Sequence, residues 1–161
     1  MFIIKAAYKD QFEVSAPVEK VRDFFTDVRN FVELMPNVES INTDANGSAR
    51  WTIRAEIPLI GAMTESFNVE MAENTDVRVE WIPKQGETEN FLRYAAEFVE
   101  KGIGQTLVQF SQAVELRRSK ARDFHFLAGL AGESAVSRGM QLEVAAMLKK
   151  FAAKTKEKLE R

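Results

Sequence analysis

An apolar stripe at helical spacing runs along the last part of the chain. It recurs at steps of three and four residues and comprises Val136, Met140, Val144, Met147, Leu148, Phe151 and Leu159. Charged residues such as Arg138, Lys149 and Lys150 fall on the other side. The pattern predicts a long C-terminal helix with one face that must be covered, so the covering element decides the fold.

Between Val38 and Leu116 apolar and polar residues alternate with a period of two, which is typical of half-buried strands. The sequence predicts six strands in this segment, near 38–43, 51–57, 63–71, 77–81, 91–100 and 106–116. Turn signals such as Asn46-Gly47 and Lys101-Gly102 separate them. An earlier strand is predicted over residues 2–14, which makes seven strands in all.

Two short helices are predicted between the first and second strands. Ser15-Ala16-Pro17 is a helix start, since proline is tolerated in a first turn. Asp27 is a suitable N-cap for the second helix, and Pro36 ends it. Residues 120–135 are open to two interpretations, a loop or an extension of the last helix, because Gly129 and Gly132 weaken helical structure there.

Hairpin connections make the predicted sheet antiparallel, and short loops leave no room for crossover helices. One long helix against such a sheet is an α+β fold, and seven strands should curl around that helix. We therefore expect a single domain over residues 1–161, a length at which about 70% of the unfolded surface can be buried.

Composition excludes several functional classes. The chain has no cysteine, so disulfides and thiolate sites are impossible. Neither a signal peptide nor a membrane-spanning stretch is visible, and we expect a cytoplasmic protein. Residues 1–116 carry 11 basic and 19 acidic residues (−8), whereas residues 117–161 carry 11 and 5 (+6). The basic residues, which include Arg117 and Arg118, are not interleaved with aromatics that look exposed, and the rest of the surface is acidic, so nucleic acid is not an expected partner.

Three motifs resemble those of the START-like (SRPBCC) superfamily. They are Ser15-Ala16-Pro17-Val18-Glu19-Lys20-Val21, Phe24-Phe25-Thr26-Asp27 and Leu34-Met35-Pro36-Asn37-Val38. Within it the chain is most similar to polyketide cyclase-like proteins and to proteins like the G subunit of carbon monoxide dehydrogenase. The resemblance implies the helix-grip fold, in which a curved sheet wraps around the last helix and a cavity lies between them. It also implies binding or transport of a hydrophobic or amphipathic molecule, such as a lipid, polyketide or quinone-like compound.

The residues that we expect to contact such a ligand combine apolar positions with inward-phase polar ones. They are Trp51, Glu65, Phe67, Tyr94, Phe110, Gln112, Met140, Val144 and Met147. The pattern predicts neither a metal nor a cofactor. It indicates no oligomeric state.

Two alternative functions stay open on the sequence. A cyclase or dehydratase would use acid–base groups from Asp10, Glu65, Tyr94 and the only histidine, His125. Either carboxylate would instead face water if a bulge shifted its strand. An accessory protein would dock through its basic C-terminal region on a partner or make peripheral membrane contact. A solvated helix face explains the same charges.

Overall fold

The structure is a computed structural model and describes residues 1–161. Its elements, in chain order, are β1 (Phe2–Val14), α1 (Val18–Thr26), α2 (Val28–Leu34), β2 (Val38–Thr43), β3 (Ser48–Ile57), β4 (Gly61–Asn74), β5 (Arg78–Pro83), β6 (Asn90–Gly102), β7 (Gln105–Arg118), α3 (Ala121–Phe124), α4 (Ala128–Ala131) and α5 (Glu133–Leu159). The predicted seven strands, two short helices and long last helix are all present.

The seven strands form one antiparallel sheet in the order β1-β7-β6-β5-β4-β3-β2. Consecutive strands from β2 to β7 pair as hairpins, and β1 closes the other side by pairing with β7 over its whole length. The predicted α+β helix-grip fold, a curved sheet around a long C-terminal helix, is therefore confirmed.

Helix α5 also covers the exposed edge of β1 with polar side chains. The backbone N–H groups of Ile3, Lys5 and Ala7 donate to Glu133 (3.1 Å), Ser137 (3.3 Å) and Gln141 (2.8 Å). Four helical residues rise about 6 Å and two strand residues about 6.7 Å, so the two spacings nearly match. Unpaired strand edges invite aggregation, and here α5 satisfies three of the N–H groups at this edge.

The two short helices close one end of the sheet with aromatic side chains. Asp27 caps α2 as predicted, since its carboxylate accepts from the Arg29 N–H at 3.0 Å. Hydrogen bonds from Arg29 also lower the pKa of Asp27. The ring of Phe31 lies 5.2 Å from those of Tyr94 and Phe151, so α2, the sheet and α5 meet at one buried aromatic cluster.

Residues 120–135 fit neither interpretation as a whole, since 121–124 and 128–131 form the one-turn helices α3 and α4, and α5 begins at Glu133. Gly132 ends this segment with a φ of 86°, which favours glycine and lets α5 start in a new direction. Gly139 permits close packing instead, because a Cβ atom there would lie 3.0 Å from the Pro58 side chain. The boundaries of β3 to β7 also differ from prediction by one to three residues; for example, β3 begins at Ser48 and β4 at Gly61.

Candidate functional site

A narrow cavity of about 40 Å³ lies between α5 and the inner faces of β3, β4 and β7. Ten of its fifteen lining residues are hydrophobic. The side chains that form most of its apolar wall are Ile53, Met63, Phe67, Met140, Val144 and Met147. Three flexible methionine side chains, Met63, Met140 and Met147, border this space.

Six of the nine predicted ligand-contacting residues line this cavity. They are Glu65, Phe67, Gln112, Met140, Val144 and Met147. The other three lie outside its wall: Trp51 and Tyr94 pack around Phe31, and the Phe110 ring packs against Tyr8 and Phe12. Whether a ligand touches these residues stays a prediction.

Sequence reasoning missed several residues of the cavity wall. They are Asn37, Ile53, Arg54, Ala55, Ile57, Met63, Val114, Leu116 and Glu143. The strand alternation already placed Ile53, Ile57 and Val114 on the inner face. No local pattern shows that Glu143, beside the apolar stripe of α5, reaches the rim.

One end of the cavity holds an ion pair. The Glu65 carboxylate accepts from the Arg118 guanidinium at 3.1 Å and from the Asn90 side-chain amide at 2.9 Å. The Arg118 side chain is only 11% exposed, so it faces inward and does not belong to a basic surface. The Glu65 side chain can therefore point inward, as its strand position predicts, because two polar partners satisfy its carboxylate.

Several buried polar groups near the cavity have no hydrogen-bond partner in the protein. They include both amide atoms of Gln112, the Tyr94 hydroxyl and the indole N–H groups of Trp51 and Trp81. Burial raises the pKa of Tyr94 well above its usual range, which keeps the hydroxyl protonated and able to donate.

The four candidate acid–base residues do not converge. Asp10 is exposed at the sheet edge, where it accepts from the Tyr8 hydroxyl at 2.8 Å, and burial together with Asp10 raises the pKa of Tyr8 to about 12. His125 accepts from the Leu127 N–H at 3.1 Å and stacks on Phe126. Only Glu65 lines the cavity, and no hydrogen bond joins any two of the four.

A family model for the G subunit of carbon monoxide dehydrogenase (CoxG) matches residues 11–159, nearly the whole chain. The chain belongs to the CoxG family. This confirms the resemblance to the START-like superfamily and, within it, to proteins like the carbon monoxide dehydrogenase G subunit. Among proteins with curated functions, none matches this CoxG-family chain.

Solved structures share the fold of this CoxG-family protein at low sequence identity. A Deinococcus radiodurans protein is 18% identical, with a TM-score of 0.63 over 96% of this chain and 98% of its own. The Zhui aromatase/cyclase of Streptomyces sp. R1128 is 11% identical, with a TM-score of 0.61 over 94% and 93%. A START superfamily protein of Mycobacterium smegmatis is 20% identical, with a TM-score of 0.51 over 84% and 98%. These likenesses establish a START/SRPBCC fold.

No three histidine, cysteine, aspartate or glutamate side chains lie in a group that could hold a metal ion. None of the helices is long and apolar enough to cross a membrane.

Proposed function

We propose that this CoxG-family protein binds a hydrophobic or amphipathic small molecule between its sheet and α5. The observation that carries this proposal is the cavity itself, which has an apolar wall and only a few polar groups, among them Gln112 and Glu65. Ligand sites are generally apolar concavities with a small number of polar groups that orient the ligand. A lipid, a polyketide or a quinone-like compound has this combination of properties.

Binding requires the cavity to enlarge. A volume of about 40 Å³ accommodates a few water molecules, whereas a cavity that binds benzene is about 150 Å³. Met63, Met140 and Met147 border the free space, and unbranched thioether side chains change rotamer at little cost. We expect an incoming ligand to displace these side chains toward the cavity rim.

The direct test is native mass spectrometry of the protein purified gently from its own host. We expect a mass above that of the chain, which disappears on denaturation because the ligand is held without a covalent bond. The matched control is the same protein purified after exhaustive delipidation. A chain mass alone, together with no binding of added apolar probes, would overturn the proposal.

The catalytic alternative lacks the geometry that would favour it. Cyclase chemistry by general acid–base catalysis needs at least two groups within reach of one substrate. Here Asp10 and His125 lie outside the cavity wall, and Glu65 is paired with Arg118. The structure therefore supports binding better than catalysis.

A second proposal is that the C-terminal half of α5 contacts anionic membranes. Lys149, Lys150 and Lys154 are exposed within two helical turns and have no carboxylate within salt-bridge distance. Near an anionic bilayer each lysine contributes about 1 kcal/mol. This face is thus a more suitable basic surface than Arg117 and Arg118, which pair with glutamates.

For this second proposal we expect the protein to float with vesicles that contain phosphatidylserine and not with phosphatidylcholine alone. Binding should be lost in about 0.5 M salt, where the Debye length falls below ~5 Å. The triple variant K149A/K150A/K154A should lose flotation. The triple variant K9A/K84A/K101A makes the same charge change elsewhere and should retain it. Equal loss in both variants, or flotation that ignores salt, would contradict the proposal.

A further inference from the structure

A row of polar side chains crosses the concave face of the sheet at one level. The strand register places Tyr8 opposite Gln112, Gln112 opposite Tyr94, and Tyr94 opposite Trp81. Directly opposed residues have Cβ atoms about 4.5–5.5 Å apart, so neighbours in this row lie within side-chain reach. Trp51 has a different register, opposite Phe67, and flanks the row with its ring 6.4 Å from that of Tyr94.

Most of this row is buried without hydrogen bonds. Gln112 and Tyr94 are each 1% exposed, and Trp51 and Trp81 are also buried. Neither amide atom of Gln112, nor the Tyr94 hydroxyl, nor either indole N–H has a partner in the protein. Buried polar atoms are rarely left unpaired, and each one lowers stability. Three such side chains in the row and a fourth, Trp51, beside it indicate a requirement other than folding.

The row meets the cavity at Gln112. This side chain lines the cavity wall, whereas Tyr94 and Trp51 lie next to it beneath the Phe31 ring, at 5.2 Å and 5.4 Å. A ligand that enters between sheet and helix therefore reaches Gln112 first. Tyr94 stands directly opposite Gln112 in the strand register and is the next polar side chain along the row.

The chemistry of the row defines the ligand group that it suits. The two indoles only donate, whereas the amide and the phenol both donate and accept, so donors outnumber acceptors. No basic side chain belongs to the row, and an unpaired anion would be costly at this depth. A neutral acceptor oxygen on an apolar ring system fits these properties, and the surrounding aromatic rings offer stacking surfaces.

We infer that Gln112 and Tyr94 form a subsite that hydrogen-bonds a neutral carbonyl oxygen of the ligand. This subsite rests on the proposed binding function and adds the chemical class of the group that is recognised. Gln112 makes the first contact through its amide N–H. Tyr94, opposite Gln112 in the register, donates from its hydroxyl as the second contact.

The test compares two probes of nearly equal shape, 1-tetralone and tetralin, by isothermal titration calorimetry. The wild-type protein should bind 1-tetralone about tenfold more tightly, because one buried hydrogen bond separates the probes. Gln112→Leu should remove most of this preference and Tyr94→Phe part of it. Leu142→Met changes an exposed side chain of α5 outside the cavity wall and should leave the preference unchanged.

Unliganded stability supplies an independent measurement. Because the two Gln112 amide atoms are unpartnered, Gln112→Leu should raise the thermal midpoint in the absence of ligand, and Tyr94→Phe should not lower it. A lower midpoint for Gln112→Leu would show that the amide serves folding and would overturn the inference. Equal wild-type affinities for both probes would overturn the subsite and leave the proposed function intact. Failure of both probes to bind would count against the proposed function and the subsite together.

Discussion

Replacing Val144 by phenylalanine is expected to weaken binding of 1-tetralone by more than tenfold. Val144 is 4% exposed and lies on the face of α5 that forms one wall of the cavity. A phenyl group is larger than the free volume of about 40 Å³, so the new side chain fills the space that the ligand needs. Calorimetric titration of 1-tetralone into the variant measures the loss.

The matched control for this variant is Leu142→Phe. Leu142 lies two residues earlier on the same helix, is 67% exposed and is absent from the cavity wall. The Leu142→Phe variant carries the same ring, and we expect it to bind the probe as tightly as the wild-type protein does. Overpacking costs about 1–3 kcal/mol, so circular dichroism must show that Val144→Phe is folded. Val144→Leu, with one added methylene, should weaken binding to an intermediate degree. A folded Val144→Phe variant with wild-type affinity would place the ligand elsewhere.

Replacing Phe31 by alanine should lower the free energy of unfolding by about 3–5 kcal/mol, the usual cost of deleting a buried phenyl group. Phe31 is fully buried, and its ring lies within 6.2 Å of those of Phe25, Trp51, Tyr94 and Phe151. These residues belong to α1, β3, β6 and α5, so one side chain connects the short helices, the sheet and the last helix. Urea unfolding followed by circular dichroism measures the change.

Val32→Ala is the control for this second prediction. Val32 is the next residue of α2 and is 38% exposed, so its truncation should cost less than about 1 kcal/mol. The two variants share the same helix and differ in the depth of the deleted side chain. A loss below about 1 kcal/mol for Phe31→Ala would show that the aromatic cluster does not hold these elements together.

Local sequence patterns predicted the secondary-structure elements more accurately than they predicted the contacts between those elements. Each of these patterns involves residues close in sequence, and each was found where it was expected: strand alternation, the Asp27 cap and the Asn46-Gly47 turn between β2 and β3. The segment 120–135 was harder, because propensity alone does not separate two one-turn helices from a loop. The positive φ of Gly132 decides its path.

The candidate site was only partly predictable. The inward phase of Glu65 and Gln112 followed from strand period. Arg118 was assigned to a basic surface because its neighbours in sequence are basic, yet it pairs with Glu65, 53 residues away. Asp10 was predicted to face inward and is nevertheless exposed, although β1 pairs with β7 without a register shift; its carboxylate accepts from the Tyr8 hydroxyl.

The sequence by itself determined the seven strands, the two short helices, the apolar face of the last helix and the superfamily to which they belong. These follow from the period of side chains along one element and from turn and cap chemistry, which act over a few residues. Only the tertiary structure decided how narrow the cavity is, which partner Glu65 finds and that Gln112, Tyr94 and Trp81 stand in one unpaired row. Those features depend on strand register and on the depth to which α5 and Phe31 pack, and both arise from contacts between residues that are far apart in the chain.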